Sequence, residues 1–140
     1  MKRLILEKLE KWKQSKRRKP LLLRGARQVG KTWVLKEFGN TFADGFVHID
    51  FDKQVEYRQF FEQTKDVKRI LDNLALATGK KITPKTLIIF DEIQACESAL
   101  NSLKYFYEDA PQYSVVGAGS LLGLKLASGF PGVWPTSTGS

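Results

Sequence analysis

The sequence predicts an α/β fold, a parallel β-sheet with helices on both of its faces. Three observations carry this expectation. Apolar runs of strand length, at 21–24, 46–51, 86–90 and 113–117, alternate with stretches whose apolar residues recur at helical spacing. The run Thr86-Leu87-Ile88-Ile89-Phe90 is unbroken and largely β-branched, as a strand covered on both faces requires. Residues 25–32 read GARQVGKT, a full match to G-x-x-x-x-G-K-[ST], and directly follow Leu21-Leu22-Leu23. In such a sheet, ligands gather at the carboxyl ends of the strands.

The elements follow in order. A helix is expected over about 3–17, ending before Pro20, with Ile5, Leu9 and Trp12 on one apolar face. A strand at 21–24 leads into the loop, and a helix at about 31–38 is closed by Gly39. The second strand, Phe46–Phe51, alternates Phe46, His48 and Asp50 against Val47, Ile49 and Phe51. Asp50 and Asp52 near its end read as solvated acids, because this strand is expected at the far edge of the sheet. A helical stretch near 54–63 precedes a helix at 66–78 with the apolar stripe Val67, Ile70, Leu71 and Leu74. Gly79–Lys85 makes a turn containing Pro84, and the strand at 86–90 follows. Leu100, Leu103 and Tyr107 mark a helix reaching about Asp109, stopped by Pro111, before a strand at Tyr113–Gly117.

The loop carries the chemistry, and it defines the fold class as a P-loop NTPase. Gly25 and Gly30 permit backbone conformations and a close approach that a Cβ would block. The N–H groups from Arg27 through Gln28, Val29, Gly30 and Lys31 to Thr32 can then face phosphate oxygens. The following helix adds the positive end of its dipole. Lys31 would reach the β- and γ-phosphates of ATP, and the Thr32 hydroxyl would take one position on Mg²⁺. This is the Walker A pattern.

A triphosphate site needs a second element, and the strand at 86–90 ends in Asp91-Glu92. Asp91 would hold Mg²⁺ in the manner of a Walker B acid. Glu92 is placed to polarise a water for in-line attack on the γ-phosphate, which makes it, with Lys31, the expected catalytic residue. A pair of charges capping a strand end is the plainer reading, but it leaves the upstream loop unexplained.

Composition sets limits on the rest. A chain of 140 residues, 42% hydrophobic, can bury a core as one unit. The single Cys96 provides neither a disulfide framework nor a metal cluster, and it is consistent with a reducing, cytoplasmic setting. No base is visible in sequence to activate it as a nucleophile. His48, the only histidine, reads as a packed strand residue rather than a ligand. No apolar run of membrane-spanning length occurs, and the N-terminus lacks the apolar core of a secretory signal.

The net charge of +8 is local. Residues 1–20 hold nine Lys/Arg against Glu7 and Glu10, while the remaining 120 residues hold 14 basic and 13 acidic side chains. Residues 2–19 therefore have two leading readings. One is a patch for nucleic acid or another acidic partner; the other is a solvated helix followed by a basic linker. A membrane-surface helix is a third.

The segments LLLRGARQVGKTWVLKEFG, KTLIIFDEIQ, ALNSLKYFYEDAP and VVGAGSLLG resemble the bacterial and archaeal AAA-like ATPases that carry a C-terminal domain of unknown function. The resemblance spans about residues 3–126. It implies ATP binding and hydrolysis, with Lys31, Thr32, Asp91 and Glu92 in the roles described. It also implies a sheet of order 5-1-4-3-2, in which the strand beside the one bearing Asp91 ends in a polar γ-phosphate sensor. Ser120 is placed for that role, a serine in a Gly-rich turn being the other reading. Some members of this family are proposed to act with nuclease-like C-terminal domains.

The resemblance divides the chain into a basic helix and linker at 1–19, an ATPase core at 20–126 and a tail at 127–140. The tail has no apolar run long enough for a buried fifth strand, and Pro131 and Pro135 argue against one. It reads as a truncation, a frame change or a cloning scar. Without that strand the first strand would be an exposed apolar edge, so weak nucleotide binding and homo-oligomer formation are expected. Two function classes follow: an ATP-hydrolysing AAA-like domain, or a nucleotide-responsive module that binds nucleic acid or protein with negligible turnover. GTP is disfavoured, since no N-K-x-D guanine motif occurs.

Overall fold

The computed structural model describes residues 2–15, 19–25, 31–120 and 133–134, with side chains described over 6–15, 19–23 and 32–119. Five strands form one sheet: β1 (Leu21–Gly25), β2 (Phe46–Asp50), β3 (Leu87–Asp91), β4 (Ser114–Ser120) and β5 (Val133–Trp134). Their order is β2-β3-β4-β1-β5, and every pairing is parallel. The described α-helices are α1 (Lys2–Gln14), α2 (Lys31–Gly39), α3 (Gln59–Glu62), α4 (Val67–Thr78) and α5 (Glu97–Asp109).

Strand alternation sorts the core into two layers. Leu22, Ile88, Phe90 and Val115 face a cluster built with α3, α4 and α5, including Phe61, Ile70, Leu74, Leu103 and Phe106. Leu21, Leu23, Leu87, Ile89, Val116 and Ala118 face the opposite layer, where Leu9 and Trp12 of α1 meet Val34, Leu35 and Phe38 of α2. β3 lies between two neighbours and under helices on both faces, so all five of its residues are buried. That is why its sequence is a continuous apolar run rather than an alternating one.

Local chemistry closes the elements. Asp66 caps α4, its carboxylate accepting from the N–H groups of Lys68 and Arg69. Gly79 ends the same helix at φ 71°, a left-handed position that glycine takes without steric cost. The Asp50 carboxylate accepts from the backbone N–H groups of Asp52 and Lys53 and ties down the turn after β2. The stretch expected as one helix near 54–63 is instead a 3₁₀ turn at Val55–Tyr57 followed by the single-turn α3.

Two expectations about strands are corrected. β4 runs on through Ala118 and Gly119 to Ser120 rather than ending at Gly117. These small residues belong to the strand because neighbours crowd it: a Cβ at Gly117 would lie 3.1 Å from both Ile93 and Leu22. The fifth strand, expected to be missing, is present as the two-residue β5, paired Leu22↔Val133 and Leu23↔Trp134. Pro131 and Pro135 flank this pair in sequence without interrupting it. An edge pairing of two residues needs no apolar run, which is why run length failed to reveal it.

Helix α1 is anchored at its C-terminal end. Trp12 is buried and donates from Nε1 to the Lys19 carbonyl at 2.6 Å, two residues before β1. Lys13 lays its ammonium over the Phe42 ring, 4.4 Å from the centroid, and donates to the Thr41 carbonyl. None of the described helices is long and apolar enough to cross a membrane. Replacing Trp12 with Ala should lower unfolding free energy by about 3–5 kcal/mol, read as a fall in the urea midpoint at unchanged slope.

Candidate functional site

The carboxyl ends of β1, β3 and β4 converge with the first turn of α2. β1 ends at Gly25 and α2 begins at Lys31, so the GARQVGKT segment does join a strand to a helix. Arg27, Gln28, Val29 and Gly30 lie outside the described residues, as do the side chains of Lys31 and Ser120. Along the sheet, Gly25 pairs with Ser120, which sets the end of β4 beside the start of the loop.

Asp91 is the centre of the described site. Its residue is only 2% exposed, and its carboxylate is hydrogen-bonded from three directions. Thr32 Oγ1 donates to Oδ2 at 2.7 Å, His48 Nε2 lies 2.9 Å from the same oxygen, and the Glu92 backbone N–H donates to Oδ1 at 3.0 Å. An ionised carboxylate only accepts, so the proton of the histidine contact sits on Nε2. Thr32 and Asp91 are 59 residues apart in sequence, and their bond ties the head of α2 to the end of β3.

His48 lies in β2 as a strand residue, as expected, and also hydrogen-bonds Asp91, a contact the sequence did not indicate. β2 is an edge strand, but its neighbour is β3, with Asp50 opposite Asp91 in register. Phe46 and His48 share a face of β2, and Phe46 packs into the α1–α2 layer. His48, two residues before the strand end, thus leans diagonally toward Asp91. Its only trace in the sequence is that parity.

Glu92 leaves the strand abruptly. It adopts φ 50° and ψ 45°, the only positive φ outside glycine among the described residues. A left-handed conformation costs a side-chain-bearing residue roughly 1–2 kcal/mol. The turn at Ile93–Ala95 follows, and Gln94 Nε2 donates to Glu92 Oε1 at 2.9 Å. Gln94 in turn rests on Gly119 of β4, where any Cβ would collide with its Oε1. Neither Gln94 nor Gly119 was among the residues expected from sequence, because their meeting depends on how the turn folds back on β4.

The donor set suits a hard cation. Thr32 and Asp91 present a hydroxyl and a carboxylate in contact, both oxygen ligands. Among the described residues, no group of three or more His, Cys, Asp or Glu is assembled to hold a metal. Two protein oxygens fit Mg²⁺, which is commonly held by one or two protein groups plus phosphates and water. Cys96 plays no part in such chemistry. It is buried, and burial pushes its thiol pKa up, the Ala99 backbone hydrogen bond acting the other way.

A family model described as an AAA domain matches residues 17–130. The chain belongs to the AAA domain family. Among solved structures, this AAA domain is similar to PCH-2 of C. elegans, at 14% identity and a TM-score of 0.50, over 86% of this chain and 37% of that one. It is also similar to AMPPCP-bound DnaA from Aquifex aeolicus, at 14% identity and a TM-score of 0.47, over 83% of this chain and 36% of that one. The AAA domain thus spans little more than a third of either protein, and the likeness to PCH-2 concerns the fold alone. No curated protein matches the sequence. The family and the parallel sheet together make this a nucleotide-binding, ATPase-like module.

Two outcomes follow from the geometry. His48→Ala removes a donor from a buried carboxylate and should cost about 1–3 kcal/mol, measured by chemical denaturation at neutral pH. The Cys96 thiol, kept protonated at neutral pH, should react with an aromatic disulfide reagent far more slowly in the folded chain than in denaturant.

Proposed function

We propose that this AAA domain binds ATP with Mg²⁺ at the carboxyl ends of β1, β3 and β4 and hydrolyses it. The observation that carries the reading is the 2.7 Å hydrogen bond from Thr32 to Asp91. A hydroxyl at the end of a phosphate loop and an acid at the end of another strand of the same sheet form the pair that P-loop enzymes use to hold Mg²⁺. Mg²⁺, when bound, supplies positive charge to the β- and γ-phosphate oxygens. The chain's own residues do the rest. Backbone N–H groups of Gly25, Arg27, Gln28, Val29, Gly30 and Thr32 would cradle the phosphates, and Lys31 would meet their charge.

Asp91 enters this reading already oriented, since Thr32 and His48 both hold Oδ2. Glu92, adjacent to it, would accept a proton from the attacking water. Ser120, opposite Gly25 across the β1–β4 pair, is the candidate for a contact to the γ-phosphate. A cytoplasmic location belongs to the same proposal, supported by the free, buried Cys96. The described part of α1 favours a solvated surface helix over a polyanion patch. Glu7 and Glu10 are exposed there beside Lys8 and Lys11, and Lys13 is engaged with Phe42 and Thr41.

The test is steady-state ATP hydrolysis beside nucleotide binding. Glu92→Gln should slow turnover by about 10²-fold or more while binding is retained, and Lys31→Ala should lose binding itself. Equal, near-zero rates in the wild type and Glu92→Gln would instead support the nucleotide-responsive binding module.

A further inference from the structure

We infer that Gln94 is a positioning residue for Glu92, and that Gly119 is the seat that holds it in place. The inference rests on the reading of Glu92 as the hydrolytic carboxylate. A glutamate on a tight turn is a poor candidate for a fixed base unless something holds its side chain. Here the backbone of Glu92 is turned out of the strand at φ 50°, and the Gln94 amide donates to its Oε1 at 2.9 Å.

The amide can sit only one way round. A carboxylate accepts and does not donate, so Nε2 must face Glu92 and Oε1 must face away. On that far side Oε1 lies against Gly119, so close that a Cβ there would overlap it. Gly119 is buried in β4, one residue before Ser120 and opposite Arg24 of β1. Glu92, Gln94 and Gly119 therefore form one connected path from the acid after β3 to the strand end beside the phosphate loop. The glycine is needed there for the space it leaves to a side chain, and its role in the sheet alone does not demand it.

The role predicts a division between rate and affinity. Gln94→Ala removes the 2.9 Å hydrogen bond that the amide donates to the carboxylate. Gly119→Ala drives the amide away by filling its seat, and it should do so at little cost in stability, because the displaced atom is the tip of a flexible side chain. Both variants should lower kcat by up to about 10²-fold, the loss expected for a misplaced group near the reacting atoms. Nucleotide affinity should stay within about threefold and the melting temperature close to that of the wild type. The double variant Glu92→Gln with Gln94→Ala should turn over no more slowly than Glu92→Gln alone, because Gln94 acts through Glu92.

Retention of full kcat in Gln94→Ala, or an equal further loss on adding it to Glu92→Gln, would overturn the inference. A fall in affinity and stability along with rate would mean a merely structural glutamine and would overturn it too. Should the wild type and Glu92→Gln hydrolyse equally slowly, the failure lies with the function proposed above. The pairing is then decided by NMR: the Gln94 side-chain amide protons should shift in Glu92→Ala, and unchanged resonances would refute the contact.

Discussion

Asp91 sits at the end of a strand whose other four residues are all apolar, and it is nearly as removed from water as they are. A buried charge of this kind costs several kcal/mol unless donors surround it. Much of the local architecture can be read as meeting that demand. The head of α2 supplies a hydroxyl, β2 supplies an imidazole, and the chain's own next residue supplies a backbone N–H. Three elements from different parts of the sequence are thus drawn to one point at the sheet's edge, and the site is their meeting place.

The two-layer core makes that convergence reproducible. Leu21 and Leu23 share a face with Leu87 and Ile89, and the same parity carries on to Asp91 and, on β2, to His48. That face is the one covered by α1 and α2, so the hydroxyl at the start of α2 and the carboxylate at the end of β3 lie on the same side of the sheet. A one-residue slip of β3 would turn Asp91 into the opposite, wholly apolar layer. Register here serves chemistry as well as packing. Helix α1 contributes by completing the layer, with Trp12 reaching across to Lys19, two residues before β1.

Glu92 illustrates a different economy. The residue after the strand abandons the strand's geometry, adopting a left-handed backbone that side chains disfavour, and it persists because its surroundings determine it. Ile93 is fully buried behind it, and Gln94 is lodged against β4. The acid is therefore held between a rigid strand and a packed turn, although its own conformation is an unfavourable one.

By itself the sequence determined what depends on near neighbours in the chain. The alternation of apolar runs, the eight-residue phosphate loop and the acids ending an unbroken strand are all contiguous patterns, and contiguity is what periodicity and motif spacing detect. The apolar face of α4 was legible for that reason, whereas α5 buries Phe106 in place of the expected Tyr107, and the strand order came from the family resemblance rather than from any local pattern. Only the tertiary structure decided which distant residues meet. His48 reaches Asp91 because β2 is laid beside β3 in a particular register. Gln94 reaches Glu92 and Gly119 because a 3₁₀ turn folds back on β4. Val133 and Trp134 join β1 through a pairing too short to leave an apolar signature. Each of these depends on which segments lie side by side in the fold rather than on neighbours along the chain, and no local pattern encodes that.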